Sequence, residues 1–374
     1  MKCKLPQNEL LKALRACEKS LLVRANLPIL SNILINVSKN KLEVISTNLE
    51  SATRVIVPCQ GQIEGKTTLP GRILLEFVSQ LPEGEAVLEK LGEEVLISMK
   101  SYQARLATIT PEEFPAIPKI ENGQEIKISA SEFLGCSART VFCASQDEGR
   151  PTLSGVLCEI SKGKLTMVAT DGYRLGYTQT SVQSAGNNIK IVIPAKAVGE
   201  AAKIISENAA NGEKDVITLV IADSLNQLNF KINDIEYTSR LIEGEFPAWQ
   251  KIIPSTFATK AKIDKEELIK KVRIASIFAR DGGSIVRLKL ENKTLTLMAN
   301  SSQVGSNETQ TPAQINGKGG EIAFNFRYLL EALAVIEGEE VIFEMSESLT
   351  PGRLTSTNTK DPFFHIIMPV RLQE

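Results

Sequence analysis

KLEVISTNLES (41–51), KLTMVATDGYRLG (164–176) and KTLTLMANSSQVG (293–305) are three versions of one pattern, an alternating apolar strand that runs into a polar turn. A second pattern carries a strand end into a helix: TLPGRILLEFVSQL (68–81), VIPAKAVGEAAKII (192–205) and AFNFRYLLEALAVI (323–336). A third closes each copy: EEFPAIPKI (112–120), GEFPAWQKIIP (244–254) and DPFFHIIMPV (361–370). The order is the same each time, and corresponding landmarks recur roughly every 120–130 residues, against about 20–50 for solenoid repeats. The unit is therefore domain-sized, and we expect domains at 1–121, 122–255 and 256–374.

Each copy halves again. In the first, KCKLP reads as a strand, and Gln7–Lys19 as a helix with Leu10, Leu11 and Leu14 on one face. Strands follow in ILSNILINV, KLEVIST and TRVIVP. Then come a strand KTTLP, a helix from Gly71 to Leu81 and strands AVLEK, EVLISM and QARLATI. Strand, helix and three strands, twice per copy, predict an α+β chain with six helices.

Composition narrows the function. With 43% hydrophobic and 23% charged residues, the chain carries enough apolar surface to fold and is not a disordered tail. No apolar run reaches the roughly 20 residues of a membrane span, so a cytoplasmic protein without membrane contact is expected. Six cysteines without a CxxC spacing and a single histidine, His365, argue against a zinc site, a disulfide framework and most His-dependent catalysis. The thiols read as buried and inert. A net charge of -1 predicts no strong global attraction to nucleic acid. The helices are slightly basic, with Lys265, Lys270, Lys271, Arg273 and Arg280 in the fifth. A charged helix face is usually just solvated, but repeated six times such an excess suits a DNA-facing surface.

RPTLSGV (150–156), ATDGYRL (169–175), EGEFPAWQKIIP (243–254), FNFRYLLEAL (324–333) and IIMPVRL (366–372), in this order across three repeats, resemble the bacterial DNA sliding clamp family, the beta subunit of DNA polymerase III. The resemblance spans essentially the whole chain. It implies three clamp domains per chain and a head-to-tail homodimer closed into a ring, sheets outside and helices lining double-stranded DNA. It implies no catalysis and no cofactor. The implied partners are the DNA polymerase III catalytic subunit, a clamp-loader complex, and other polymerases and repair proteins that carry a short QLxLF-like motif.

By motif match, the peptide pocket comprises Leu153, Thr170, Gly172, Tyr173, Arg174, Leu175, Pro247, Ile252, Asn325, Tyr328, Ile366, Ile367, Met368, Pro369, Val370 and Arg371. Apolar side chains form an adaptable cleft there, while Arg174 and Arg371 orient the peptide. Arg24, Gln146, Lys196 and Arg273 are the implied DNA contacts, and Leu106, Ile277 and Phe278 the implied dimer contacts. Read alone, IIMPVRL is a core strand, ATDGYRL a strand and its turn, and Asp171 an acid with no catalytic companion beside it. Tyr173 stands where the family has a histidine and Lys251 where an arginine is common. Gly283 replaces an aromatic residue, and Gln373 and Glu374 extend past the usual terminal leucine. The chain lacks a GxxxxGK[ST] phosphate loop, so opening of a ring requires a separate ATP-driven loader. A protein-interaction scaffold that never encircles DNA is the competing reading.

Overall fold

Alternation of apolar and polar residues sets the strands, and the first copy runs β1 (Lys2–Pro6), α1 (Gln7–Glu18), β2 (Asn32–Ser38), β3 (Lys41–Thr47), β4 (Ser51–Pro58), β5 (Gln60–Ile63), β6 (Gly65–Pro70), α2 (Gly71–Gln80), β7 (Glu85–Leu91), β8 (Glu94–Met99) and β9 (Tyr102–Ala107). The second runs β10 (Gly123–Ser129), α3 (Ala130–Thr140), β11 (Gly155–Ser161), β12 (Lys164–Thr170), β13 (Arg174–Ser181), β14 (Gln183–Ser184), β15 (Ile189–Pro194), α4 (Ala195–Asn208), β16 (Val216–Ala222), β17 (Gln227–Ile232) and β18 (Ile235–Arg240). The third runs β19 (Thr259–Asp264), α5 (Lys265–Ala279), β20 (Ile285–Glu291), β21 (Thr294–Ser301), β22 (Gly305–Gly317), β23 (Gly320–Asn325), α6 (Phe326–Val335), β24 (Glu340–Met345), β25 (Gly352–Ser356) and β26 (Phe364–Ile367). The computed structural model describes residues 1–22, 27–117, 120, 123–147, 149–184, 188–209, 215–222, 226–280 and 283–371.

Two differences from the sequence reading have local causes. The segment ILSNILINV is not strand throughout: Pro28–Ser31 forms a 3-10 turn and β2 starts at Asn32. Pro28 has a fixed φ and no N–H to give to a ladder, which favours the turn. The extra strands β5 and β14 were also not anticipated. In the third copy β22 does both jobs, pairing with β21 up to Pro312 and then with β19 from Ala313. In the first copy the same work is divided between β4, which pairs with β3, and β5, which pairs with β1. Pro58 and Pro312 stand at the two change-over points, where a missing N–H is tolerated.

The chain packs as two compact units, Met1–Ser131 with Gln183–Gly186 and Gly199–Leu241, and Glu132–Val182 with Asn187–Val198 and Ile242–Glu374. Unit one holds a five-stranded sheet, β5-β1-β7-β8-β9, and a nine-stranded sheet, β14-β10-β16-β17-β18-β4-β3-β2-β6. Unit two holds a twelve-stranded sheet, β15-β11-β12-β13-β26-β25-β24-β19-β22-β21-β20-β23. Packing units and sequence repeats differ because strands of neighbouring repeats pair. In unit one β18 joins β4, with Ile235 opposite Val55 and Ser239 opposite Ser51. In unit two β13 joins β26, with Arg174 opposite Ile367 and Tyr177 opposite Phe364.

The helices bury one face each. In unit one α1 packs on α2, and Leu10, Leu14, Leu74 and Val78 are fully buried. In unit two α5 packs on α6 through a core that includes Leu268, Val272, Leu329 and Leu333. Asp264 caps α5 by accepting from the Glu267 N–H at 2.8 Å, and Asn325 caps α6 by accepting from the Arg327 N–H at 3.0 Å. A fully buried leucine contributes about 1.5–3 kcal/mol, and its truncation also leaves a cavity. Leu14→Ala should therefore lower stability by about 3 kcal/mol, read from the midpoint of urea unfolding. A shift below about 1 kcal/mol would mean that this helix pair collapses around the gap.

Candidate peptide-binding site

The turn between β12 and β13 is built by its own side chains. Thr170 Oγ1 donates to the Arg174 carbonyl at 2.6 Å and accepts from the Gly172 N–H at 3.0 Å. Asp171 Oδ1 accepts from the N–H groups of Tyr173 and Arg174 at 2.8 and 3.0 Å. This is an Asx turn, in which the Asp171 carboxylate holds the backbone of the turn. Gly172 has φ +92°, a left-handed conformation that costs glycine little. Past the turn, Gly176 lets β13 approach the end of α3: a Cβ there would lie 2.6 Å from the Arg139 carbonyl oxygen and 2.9 Å from Cys143 Sγ.

Arg174 organises the space beside this turn. Its Nε donates to Asp171 Oδ2 at 3.0 Å, and its Nη1 pairs with Glu331 of α6. The guanidinium also lies over the rings of Tyr328 and Phe142, 4.5 and 5.4 Å from their centroids. Around it is a cavity of about 460 Å³ lined by Tyr173, Arg174, Asn325 and Tyr328, and also by Gln146. Four of the sequence-expected pocket residues are thus brought to one place, and Gln146, assigned to DNA by the resemblance, joins them. Ser145, Asp147, Arg150, Arg327 and Glu331 complete much of the wall and were missed. Glu331 was legible, since it lies one helical turn after Tyr328 on the same face of α6. Phe142 and Arg150 gave no such signal.

The other expected residues divide into core and rim. Leu175 and Ile366 lie in a buried cluster with Leu157, Val168, Val192, Phe246 and Trp249, and Ile367 lies in the larger core of the unit. They back the site and do not line the cavity, so the bare reading of IIMPVRL as core strand holds for its first two residues. After β26 the Met368 N–H donates to the Tyr173 carbonyl at 2.8 Å and the Val370 N–H to the Ala323 carbonyl at 2.8 Å. This leaves the side chains of Met368, Pro369 and Val370 half-buried, and Arg371 exposed. Leu153 and Ile252 are half-buried and Pro247 is exposed, on two loops that meet where Gly244 faces Thr152. Thr170 is itself buried.

Models of the N-terminal, central and C-terminal domains of the DNA polymerase III beta subunit match residues 1–118, 127–248 and 250–371. The chain belongs to the DNA polymerase III beta-subunit family. It is 27% identical over 364 residues to the beta sliding clamp of Staphylococcus aureus, with 94% of each chain covered. The beta-subunit structures from Thermotoga maritima and Pseudomonas aeruginosa match it with TM-scores of 0.93, at 25% and 26% identity, over the full length of both chains. The chain is accordingly a sliding clamp, the non-catalytic subunit of DNA polymerase III, made of three clamp-domain copies.

In this clamp chain, the remaining expected residues lie on helices and one sheet edge. Lys196 on α4 and Arg273 on α5 are exposed, and Arg24 lies outside the described residues, as do Gln373 and Glu374. Ile277 on α5 is 56% exposed, while Phe278 is half-buried against the core of unit two. Leu106 belongs to β9, an edge strand, yet is only 9% exposed within its own chain. No helix among the described residues is long and apolar enough to cross a membrane.

Behind the site, His365 is fully buried, opposite Gly176 in the β13–β26 pair. Its Nδ1 faces Cys143 Sγ at 3.6 Å, its ring stacks on Phe142, and its Nε2 has no hydrogen-bond partner among the described residues. Burial, reinforced by the nearby Arg174 charge, pushes its pKa down to about 3. A folded pKa below the unfolded value of about 6.5 means that the unfolded chain binds the proton first. The contribution of neutral His365 is therefore complete above pH about 6.5 and declines as pH falls from there towards about 3, by up to about 1.4 kcal/mol per pH unit. Comparing chemical unfolding of the protein and of His365→Leu across this window should show a shallower acid loss in the variant. Parallel curves would mean that the ring takes up its proton inside the fold.

Proposed function

We propose that the chain works as a head-to-tail homodimer that encircles double-stranded DNA, slides along it and tethers DNA polymerases through the cavity beside Arg174. The observation that carries the peptide half of this reading is the fixed guanidinium: Arg174 is held by two carboxylates and two rings, on the turn whose Tyr173 carbonyl accepts from the N–H of the half-buried Met368. A peptide laid there meets preformed polar and apolar groups, so little ordering is required of the protein on binding. The partners are the DNA polymerase III catalytic subunit, the clamp loader, and other polymerases and repair proteins with a clamp-binding motif, in the cytoplasm. A short peptide gives modest affinity, which suits a site shared by several partners in turn.

Topology supplies retention. A closed ring need not grip bases, and weak phosphate contacts from residues such as Lys196 and Arg273 permit sliding. Tethering raises the local polymerase concentration, so each re-binding is nearly intramolecular. The exposed Ile277 with its neighbour Phe278 is the apolar surface that the third copy offers to the edge strand β9 of a second chain.

Two experiments test the reading. Light scattering over a concentration series should give twice the 40.9 kDa chain mass, and the loaded protein should stay on nicked circular DNA and leave it on linearisation. Ile277→Glu with Phe278→Glu should give monomers that are not retained; an unchanged dimer removes these residues from the interface, and equal retention on both DNAs favours the scaffold reading. Separately, Arg174→Ala should weaken binding of a motif peptide at least about tenfold, because it empties the centre of the cavity and strands Asp171 and Glu331. Wild-type affinity in that variant would place the peptide elsewhere.

A further inference from the structure

A cavity of about 630 Å³ lies in unit one, between the face of the nine-stranded sheet and residues 111–117. The repeats show what makes it. EEFPAI (112–117) matches GEFPAW (244–249), so Phe114 stands where unit two has Phe246, and Ile117 where it has Trp249. Strand register extends the match. Arg54 faces Glu236 between β4 and β18 as Tyr177 faces Phe364 between β13 and β26, and Ala52 faces Thr238 as Leu175 faces Ile366. In unit two these positions form a closed apolar cluster, with the Tyr177 ring 4.5 Å from Phe364 and 5.4 Å from Trp249. In unit one Ile117, Arg54 and Glu236 replace the three rings, and the space beneath residues 111–117 stays open.

We propose that this cavity binds a small, flat aromatic anion that carries an N–H donor, the chemistry of an indole carboxylate. The ring takes the volume that Trp249 and Phe364 fill in unit two. Leu34, Ile45 and Ile117, packed on Phe114, give it an apolar wall, and the Arg54 guanidinium gives it a planar one. Arg54 is already paired with Glu43 and Glu236, so it serves as a platform and not as the partner of a new charge. Asn229 calls for the donor. It is 5% exposed, its Nδ2 donates to Thr238 Oγ1 at 2.8 Å, and its Oδ1 has no partner among the described residues. An amide oxygen buried in this way is unfavourable, and a ligand N–H that draws the side chain into the cavity relieves it. Charge completes the match. Lys41, Arg54, Lys66 and Lys231 line the cavity against two carboxylates, Glu43 and Glu236. Lys231, two positions from Asn229 along β17, shares Glu236 with Arg54, at 3.5 Å against 3.4 Å, and is the cation left for an incoming carboxylate.

The test is methyl NMR of the full-length chain labelled at isoleucine, with indole-3-acetate as the probe. The probe should shift the methyl signals of Ile45, Ile56 and Ile117, each assigned by its own Ile→Val substitution, with a Kd of about 1 mM, the ordinary strength of a ligand of this size. Indole, which lacks the carboxylate, and cyclohexylacetate, which lacks the aromatic ring, should each bind about two- to fivefold more weakly. Lys231→Gln should cost indole-3-acetate a similar about two- to fivefold. Ile117→Trp should close the cavity as Trp249 does in unit two and abolish the shifts. Thermal unfolding checks each variant, and Thr238→Ile, the unit-two residue at its position, replaces Ile117→Trp if that chain does not fold. The proposal is overturned if no shift appears up to about 10 mM, roughly ten times the expected Kd. Shifts confined to isoleucines away from the cavity, equal binding of cyclohexylacetate, or shifts that persist in the filled variant overturn it as well.

Discussion

Antiparallel pairing of β13 with β26 is the constraint on which the site depends. Four residue pairs, Arg174 with Ile367 through Tyr177 with Phe364, bring the last strand of the chain against a turn made nearly 200 residues earlier. Without that register the Met368 N–H would not reach the Tyr173 carbonyl, and the C-terminal segment would not cross to Ala323 at the head of α6. One-residue slippage would exchange the faces of β26, turning Ile366 out of its cluster. The pairing is protected by what lies on it: Tyr177 stacks on Phe364 with centroids 4.5 Å apart, and His365 sits sealed opposite Gly176. Sealing a histidine without a partner for Nε2 is unfavourable on its own. It persists because the ring fills the space that Gly176, Phe142 and Cys143 leave.

The same device occurs in unit one, where the cavity at the turn itself is smaller and the larger one, about 630 Å³, lies along the neighbouring sheet face by Ala52, Arg54 and Phe114. Thr47 Oγ1 donates to the Ser51 carbonyl and accepts from the Leu49 N–H, and Asn48 Oδ1 accepts from the N–H groups of Glu50 and Ser51. The Arg240 N–H then reaches the Glu50 carbonyl at 3.0 Å, as Met368 reaches Tyr173. Bond for bond this is the Thr170–Arg174 turn with its crossing strand. What differs is the side chains. Leu49, Glu50 and Ser51 stand where unit two has Gly172, Tyr173 and Arg174, and Pro115, Ala116 and Ile117 crowd the turn, leaving a cavity of about 150 Å³ against about 460 Å³. The backbone frame is therefore structural and common to both copies, and the larger cavity in unit two goes with the arginine and the glycine placed on it.

This contrast explains which parts of the molecule could be read from the sequence. Strand and helix patterns were legible because burial imposes periods of two and 3.6 on each element, and repeats made each reading check the others. The turn was legible as a turn, since Thr-Asp-Gly advertises side-chain capping and a left-handed residue. Its partners were not. The link from Arg174 to Glu331 spans 157 positions and the one to Phe142 arises only after β13 has closed on α3; neither leaves a local signature. Leu175, Ile366 and Ile367 were drawn into the expected pocket with their neighbours, although their burial makes them its foundation. The two packing units were also hidden, because the β4–β18 and β13–β26 ladders join strands of neighbouring repeats.

The electrostatics follow from the same economy of contacts. On α5, Lys270 is engaged by Glu267, and on α4 Lys203 by Glu200, so part of the helical positive charge is neutralised locally. Lys196 and Arg273 carry no ion pair among the described residues, and the net charge of the whole chain is -1. In the ring proposed above, cations as sparse as these would release few counterions on meeting DNA, and direct affinity would be correspondingly low. A protein that held DNA by charge would need the opposite composition. A clamp that travels along DNA is better served by a modest number of free cations than by a dense array, because each additional phosphate contact would add to the barrier between one position and the next.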